Sequence, residues 1–170
     1  MSLRLVEPTL SHESAVGSYH ETFDDAHVPG GGLVQQMNYR DWLARIEQLK
    51  TNPPVDLVNS LQYLAIDEKD NLVGMIQLRL ALNDYLENYG GHVGYSVHPI
   101  HRKKGYATEM LKLSLAIARR HSLPRILVTC DHSNQASAMV ILKCGGIYED
   151  SRLEPGATEP TDRYWIDTGL

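Results

Sequence analysis

Between Val93 and Arg120 the hydrophobic period changes from two to 3.6 across one short basic turn, and that change constrains the fold more than any other stretch. The turn reads Val97-His98-Pro99-Ile100-His101-Arg102-Lys103-Lys104-Gly105-Tyr106-Ala107. Before it, Val93–Val97 has the character of a strand that stops at His98-Pro99. After it, Tyr106–Arg120 sets Met110, Leu111, Leu115 and Ala118 on one helical face, with Lys112, Arg119 and Arg120 elsewhere. A strand feeding a strong amphipathic helix, followed by another strand at Arg125–Cys130, is a βαβ unit inside a mixed α/β architecture.

The remaining segments extend this pattern. Leu3–Val6 reads as a first strand and Ser11–Thr22 as a helix. His27-Val28-Pro29-Gly30-Gly31-Gly32 is a loop, since one proline and three glycines propagate neither regular element. Helical spacing of Met37, Trp42, Leu43, Ile46 and Leu49 predicts a helix over Gln35–Lys50, ended by Asn52-Pro53-Pro54. Leu61–Ile66 and Leu72–Leu80 alternate as a hairpin around a polar turn at Asp67–Asn71. Asn83–Gly91 interrupts the strands, with a short helix closed by Gly90-Gly91. Asn134–Lys143 is a helix stopped by Gly145-Gly146, and Ile147–Glu149 and Arg163–Asp167 are closing strands. Residues 1–170 are expected to form a single domain.

Composition narrows the function. A net charge of −5 and a pI near 5.9 exclude the basic face that non-specific nucleic-acid binding requires. No apolar run has the length of a membrane span, and Met1-Ser2-Leu3-Arg4 does not open a signal peptide. The two cysteines, Cys130 and Cys144, match no zinc motif and no disulfide framework. They read as reduced thiols of a cytoplasmic protein, and no metal site is expected.

The chemistry concentrates at the basic turn. Backbone N–H groups at a helix start lack intrahelical acceptors and carry the positive end of the helix dipole. A pyrophosphate fits there. Gly105 and Ala107 keep side chains out of its way, and Arg102, Lys103 and Lys104 add positive charge. The same residues would also make a solvated basic helix cap that binds nothing. A nucleotide site of another type is disfavoured, because neither Gly-x-x-x-x-Gly-Lys-Ser/Thr nor Gly-x-Gly-x-x-Gly occurs.

The Arg102–Ala107 segment resembles the pyrophosphate loop of the GNAT acetyltransferases, Arg/Gln-x-x-Gly-x-Gly/Ala after a strand that ends near proline. Asn134-Gln135-Ala136-Ser137, followed by Lys143-Cys144-Gly145-Gly146, resembles the family's Asn-x-x-Ala/Ser helix and its Lys-x-Gly-Phe ending. The likeness covers Leu61–Asp150. Gly90–Val97 and Arg163-Tyr164-Trp165-Ile166 resemble a bacterial subgroup of acetyltransferases with unassigned substrates.

The resemblance implies a GNAT-like fold, a central, mostly antiparallel sheet flanked by helices, and transfer of an acetyl group from acetyl-CoA to a primary amine. The acceptor would be a small-molecule amine or a peptide, with a homodimer from family habit. The Tyr95–Val97 strand would splay from Arg125–Cys130 and admit the pantetheine arm. The Val97 N–H would polarise the thioester carbonyl. Backbone groups of Arg102, Lys103, Lys104, Gly105, Tyr106 and Ala107 would hold the pyrophosphate. Asn134 would reach the pantetheine or fix its helix, although an N-cap serves equally.

Two family features are missing. The position of the usual general-acid tyrosine is Ile141, with Tyr148 and Tyr164 as replacements or as core aromatics. The position of the usual glutamate base is about Gly91, which leaves His92 as the candidate base and His98, His101, Glu68 and Glu87 as others nearby. Arg79 is either a carboxylate anchor for the acceptor or an exposed strand cation. Attack through Cys130 or Cys144 lacks a histidine partner that the sequence places, and direct transfer is favoured. A non-catalytic CoA-binding sensor or assembly module is the alternative on the same fold.

Overall fold

Strand pairing divides the protein into two antiparallel sheets. The structure is a computed structural model that describes residues 2–23, 30–34 and 36–170. The first sheet has the order β1 (Leu3–Val6), β2 (Ser60–Asp67), β3 (Leu72–Arg79), β4 (Val93–Val97). The second has the order β5 (Arg125–Asp131), β7 (Thr161–Asp167), β6 (Ile147–Arg152). The mostly antiparallel sheet implied by the resemblance is present, and the expected splay of Tyr95–Val97 from Arg125–Cys130 is the break that divides it in two.

One seam joins the two. His92 N–H donates to Leu127 O at 2.7 Å, and Leu127 N–H donates to His92 Nδ1 at 2.8 Å. Close by, Thr129 Oγ1 donates to Tyr89 O at 2.7 Å. Gly91 makes the seam possible. Its φ of 65° is a conformation that glycine adopts readily, and a Cβ there would lie 2.7 Å from Leu127 O.

Helices cover both faces of the first sheet, which is why β2 is almost wholly buried. Along β2, Leu61 and Ala65 face one cluster while Leu64 and Ile66 face the other. The larger cluster lies under α3 (Tyr106–Arg120), which buries Met110, Leu111, Ser114, Ile117 and Ala118. That stripe differs slightly from the sequence reading. Ser114 takes a core position by donating its hydroxyl to Leu111 O at 2.7 Å, and Leu115 sits at the margin.

The smaller cluster packs α1 (Glu13–Glu21) and α2 (Tyr39–Thr51) onto the opposite face through Val16, Tyr19 and Trp42. The expected helix over Gln35–Lys50 begins four residues late, because Asn38 caps it by accepting Asp41 N–H at 2.9 Å. Gln35 itself, and His27, Val28 and Pro29 of the expected loop, lie outside the described residues. The first helix opens with a 3₁₀ turn at Leu10–His12, and the Asn83–Gly91 interruption contains a π-helical turn at Leu86–Gly90. The α4 helix (Gln135–Lys143) flanks β5. Among the described residues no helix is long and apolar enough to cross a membrane.

Candidate active site

The break between the sheets opens a cleft of about 880 Å³. One wall is the edge of β4 that pairs with no strand among the described residues, with Gly30 lying close to its Tyr95 backbone. On its other edge, Arg79 N–H donates to His92 O and His98 N–H donates to Val73 O, while Val97 lies opposite Gly74 and Val93 opposite Leu78. In an antiparallel ladder, bonded and non-bonded positions alternate. Residues 92, 94, 96 and 98 thus pair with β3, and the backbone groups of Val93, Tyr95 and Val97 turn toward the cleft. Val97 O accepts Arg102 Nε–H at 3.3 Å, and the Val97 N–H has no acceptor among the described residues.

At the far end of β4 the chain makes the basic turn. Lys103 has φ 60° and Gly105 φ 85°, and Gly105 is the N-cap of α3 with no side chain capping the helix. The first intrahelical bond runs from Glu109 N–H to Gly105 O, at 3.1 Å. Amides of the first turn therefore have no acceptor in the helix. Arg102, Lys103, Gly105, Tyr106 and Ala107 all line the cleft. Lys104 is exposed and lies outside its wall, so the structure brings together all of the expected phosphate turn except that side chain. Lys143, at the end of α4, adds a cation that the sequence reading quoted within a motif without giving it a task.

Across the cleft, Asn134 is the N-cap of α4, its Oδ1 accepting Ser137 N–H at 3.1 Å. It also lines the cleft, so cap and wall are one residue. Ser137 Oγ lies 2.7 Å from Tyr95 Oη, which brings a phenol from β4 to α4 in the middle of the cleft. Burial pushes the Tyr95 pKa up to about 12. Ile141, where the resemblance placed a tyrosine, is fully buried in the core. Tyr148 and Tyr164 pack against each other away from the cleft, with Tyr148 Oη on Ser151 at 2.7 Å, so neither replaces it. Tyr95 was missed because its signal is structural. Period two puts its backbone on the same edge as Val97, but only the fold shows that its side chain reaches α4.

His92 requires a correction. Its Nδ1 accepts the Leu127 amide, it is 5% exposed, and it does not line the cleft. Burial, with Arg79 nearby, holds its pKa down at about 4. The lone pair that a base would use is engaged in the seam. The other candidates fare no better at the middle of the cleft. His101 lines it only beside the phosphate turn, His98 packs between Tyr19 and His101, and Glu68 and Glu87 are outside its wall.

Cys130 lines the cleft, but burial raises its thiol to about 11, and His132 is turned to Asp162 at 3.0 Å. That arrangement gives no activated thiolate. Arg79 is not an exposed strand cation. It is half-buried at the end of the cleft opposite the phosphate turn, with Nη1 donating to Gly90 O and Gly91 O, both at 3.1 Å. Among the described residues, no group of three or more His, Cys, Asp or Glu side chains is gathered as a metal site.

Comparison with known proteins gives the same outline. A family model described as an acetyltransferase (GNAT) domain matches residues 3–147. No curated protein matches. Among solved structures, the chain is similar to a ribosomal-protein-S5-alanine acetyltransferase from Vibrio fischeri, at 18% identity and a TM-score of 0.71, over 98% of this chain and 92% of that one. It is also similar to a point variant of spermidine N-acetyltransferase from Vibrio cholerae, at 16% identity and TM-score 0.65, over 99% and 95% of the two chains. A Salmonella typhimurium protein solved with its cofactor acetyl-CoA aligns at 15% identity and TM-score 0.65, over 99% of this chain and 95% of that one. At these identities the solved structures share the fold.

Proposed function

The chain belongs to the GNAT acetyltransferase family, and from that membership we propose that it moves an acetyl group from acetyl-CoA to a primary amine by direct attack. The observation that carries this reading is the cleft itself. One continuous opening runs from an uncapped helix start, along an unpaired strand edge, to a polar end chamber. A pyrophosphate, an amide-bearing arm and an amine would each meet groups suited to them, in that order.

Acetyl-CoA supplies an activated thioester. The α3 amides at Gly105–Ala107, with Arg102 and Lys103, hold the diphosphate. Lys143 adds charge to the same wall. The Val97 N–H donates to the thioester oxygen, where negative charge develops as the amine adds. The C–N bond forms, the C–S bond breaks, and the sulfur leaves with the electron pair. A thiol has a pKa near 8.5 and needs little assistance to leave. Tyr95 is the phenol positioned to return a proton to it, taking the place of the absent tyrosine at Ile141. The amine's surplus proton goes to water. That route suits an α-amine with a pKa near 7.8, of which about one molecule in seven is neutral at pH 7, better than a lysine-like amine, of which about one in 2,500 is neutral.

Thermal denaturation with acetyl-CoA, CoA and ATP tests the reading. Ligand at 100 times its Kd stabilises by about 2.7 kcal/mol, or roughly 5–10 °C for a domain of this size. A shift with both CoA species but not ATP is expected, and Gly105→Glu should abolish it by placing a bulky anion at the turn. An unchanged shift in that variant would remove the phosphate assignment. Binding without thiol release to any amine would leave a CoA-binding module in place of an enzyme.

A further inference from the structure

The end chamber contains a cation to which acyl transfer assigns no task. Arg79 closes β3, and its Nη1 is spent on the carbonyls of Gly90 and Gly91. A guanidinium has five N–H donors and stays protonated. The Nε–H and both Nη2 hydrogens have no acceptor among the described residues, and no carboxylate there pairs with the side chain. The contrast with other arginines is plain. Arg4 pairs with Asp70, Arg152 with Asp150, and the fully buried Arg163 with both Glu149 and Asp150. Arg79 is the half-buried arginine that lines a cavity instead.

The free donors are not sealed in the core but open to the cleft, where an anion can meet a cation that is already half-buried. The two carbonyls fix the guanidinium plane, so its remaining donors form a preset fork, the geometry that takes a carboxylate with two bonds. The diphosphate belongs at the opposite end of the cleft, beside α3. Tyr85 and Tyr89, with ring centroids 5.8 Å apart, add an aromatic wall to the Arg79 end. Asp131 and Glu154 are the carboxylates that line the cleft, and neither pairs with Arg79.

We propose that Arg79 is a carboxylate-binding site, and that the acceptor is a carboxylated amine, an amino acid or a short peptide, rather than a polyamine. The inference rests on the acyl-transfer reading above. A carboxylate on the acyl group of a dicarboxylic acyl-CoA presents the same chemistry, and the test separates the two sources.

Thiol release is measured with acetyl-CoA and with succinyl-CoA, against phenylalanine and 2-phenylethylamine, tyrosine and tyramine, dialanine, and spermidine. The wild-type chain, Arg79→Lys and Arg79→Met are compared. For the acceptor site, kcat/KM is expected to favour the carboxylated member of each pair by about 10²-fold. That ratio should fall part-way in Arg79→Lys and to near one in Arg79→Met. The acetyl-CoA thermal shift should be the same in all three proteins. If the lysine variant alone folds, its partial loss still decides the question. A preference for succinyl-CoA that disappears in Arg79→Met would keep the carboxylate site and assign it to the acyl group.

Equal use of both members of a pair, a ratio unmoved by either variant, or spermidine as the best acceptor would overturn the proposal. So would turnover of no carboxylated partner with either donor while the acetyl-CoA shift is intact. Loss of that shift in the wild-type chain would instead overturn the acyl-transfer reading, and this inference with it.

Discussion

His92 holds both ends of a bonded pair with Leu127, so its charge state matters to the fold. Its folded pKa of about 4 lies below the ordinary 6.5, chiefly because burial disfavours the cation. In that window the unfolded chain binds the extra proton and the native one does not. The stability tied to neutral His92 is therefore complete above about pH 6.5 and is lost as pH falls toward 4. Melting temperature followed between those limits should decline, and His92→Gln should flatten the part of the decline that this ring causes. His92→Ala should weaken the protein and acetyl-CoA binding together, because it leaves the backbone bond to Leu127 O but removes the side-chain acceptor of the Leu127 amide and so loosens the seam. A variant that lost turnover alone, with both retained, would return His92 to the role of base. Tyr95→Phe tests the opposite kind of residue. Removing one hydroxyl that touches only Ser137 should cut kcat by about 10²-fold with little change in the KM for acetyl-CoA. An unchanged kcat would show that the thiolate leaves without help.

At the scale of elements, helix α4 depends on one side chain at its start. Asn134→Ala removes the cap on Ser137 N–H and should cost about 1 kcal/mol, read as a lower denaturation midpoint at constant m-value. If CoA affinity also falls by more than stability accounts for, the residue acts on the ligand as well. Elements with strong local signals were legible from sequence alone. Helix α3 has the bounds that its period and the flanking glycine and proline indicate, and β2, β3 and β4 agree with the sequence reading to within a residue or so. The basic turn was legible for the same reason, since a glycine between a strand and a helix is a local fact. Three things were not. The division into two sheets came only from the family resemblance, since 27 residues separate β4 from β5 and alternation within a strand carries no record of its neighbour. Arg79 reads as an ordinary strand cation until the Gly90 and Gly91 carbonyls fold back onto it. His92 has the right residue type beside the right position, and only the fold shows its nitrogen already engaged.

The whole molecule is two sheets that meet at a point and diverge. A ligand lying between them would pair with the free β4 edge, so the amides of Tyr95 and Val97 should exchange with solvent more slowly when acetyl-CoA is bound, while those already bonded to β3 should change less. Hydrogen exchange resolved by residue checks this, and uniform protection of all of β4 would argue against an arm lying along one edge. The one-sided seam also bears on how long the molecule lasts. A shared core under α3 also ties the sheets together, but where the strands diverge beyond the seam their edges lie open, and local opening there exposes them to proteases. A molecule that spans the gap holds the open form at low population, and degradation that draws on that form slows in proportion. The half-life of this protein under proteolysis would then rise with the acetyl-CoA around it, so that its abundance would report the supply of the compound it consumes.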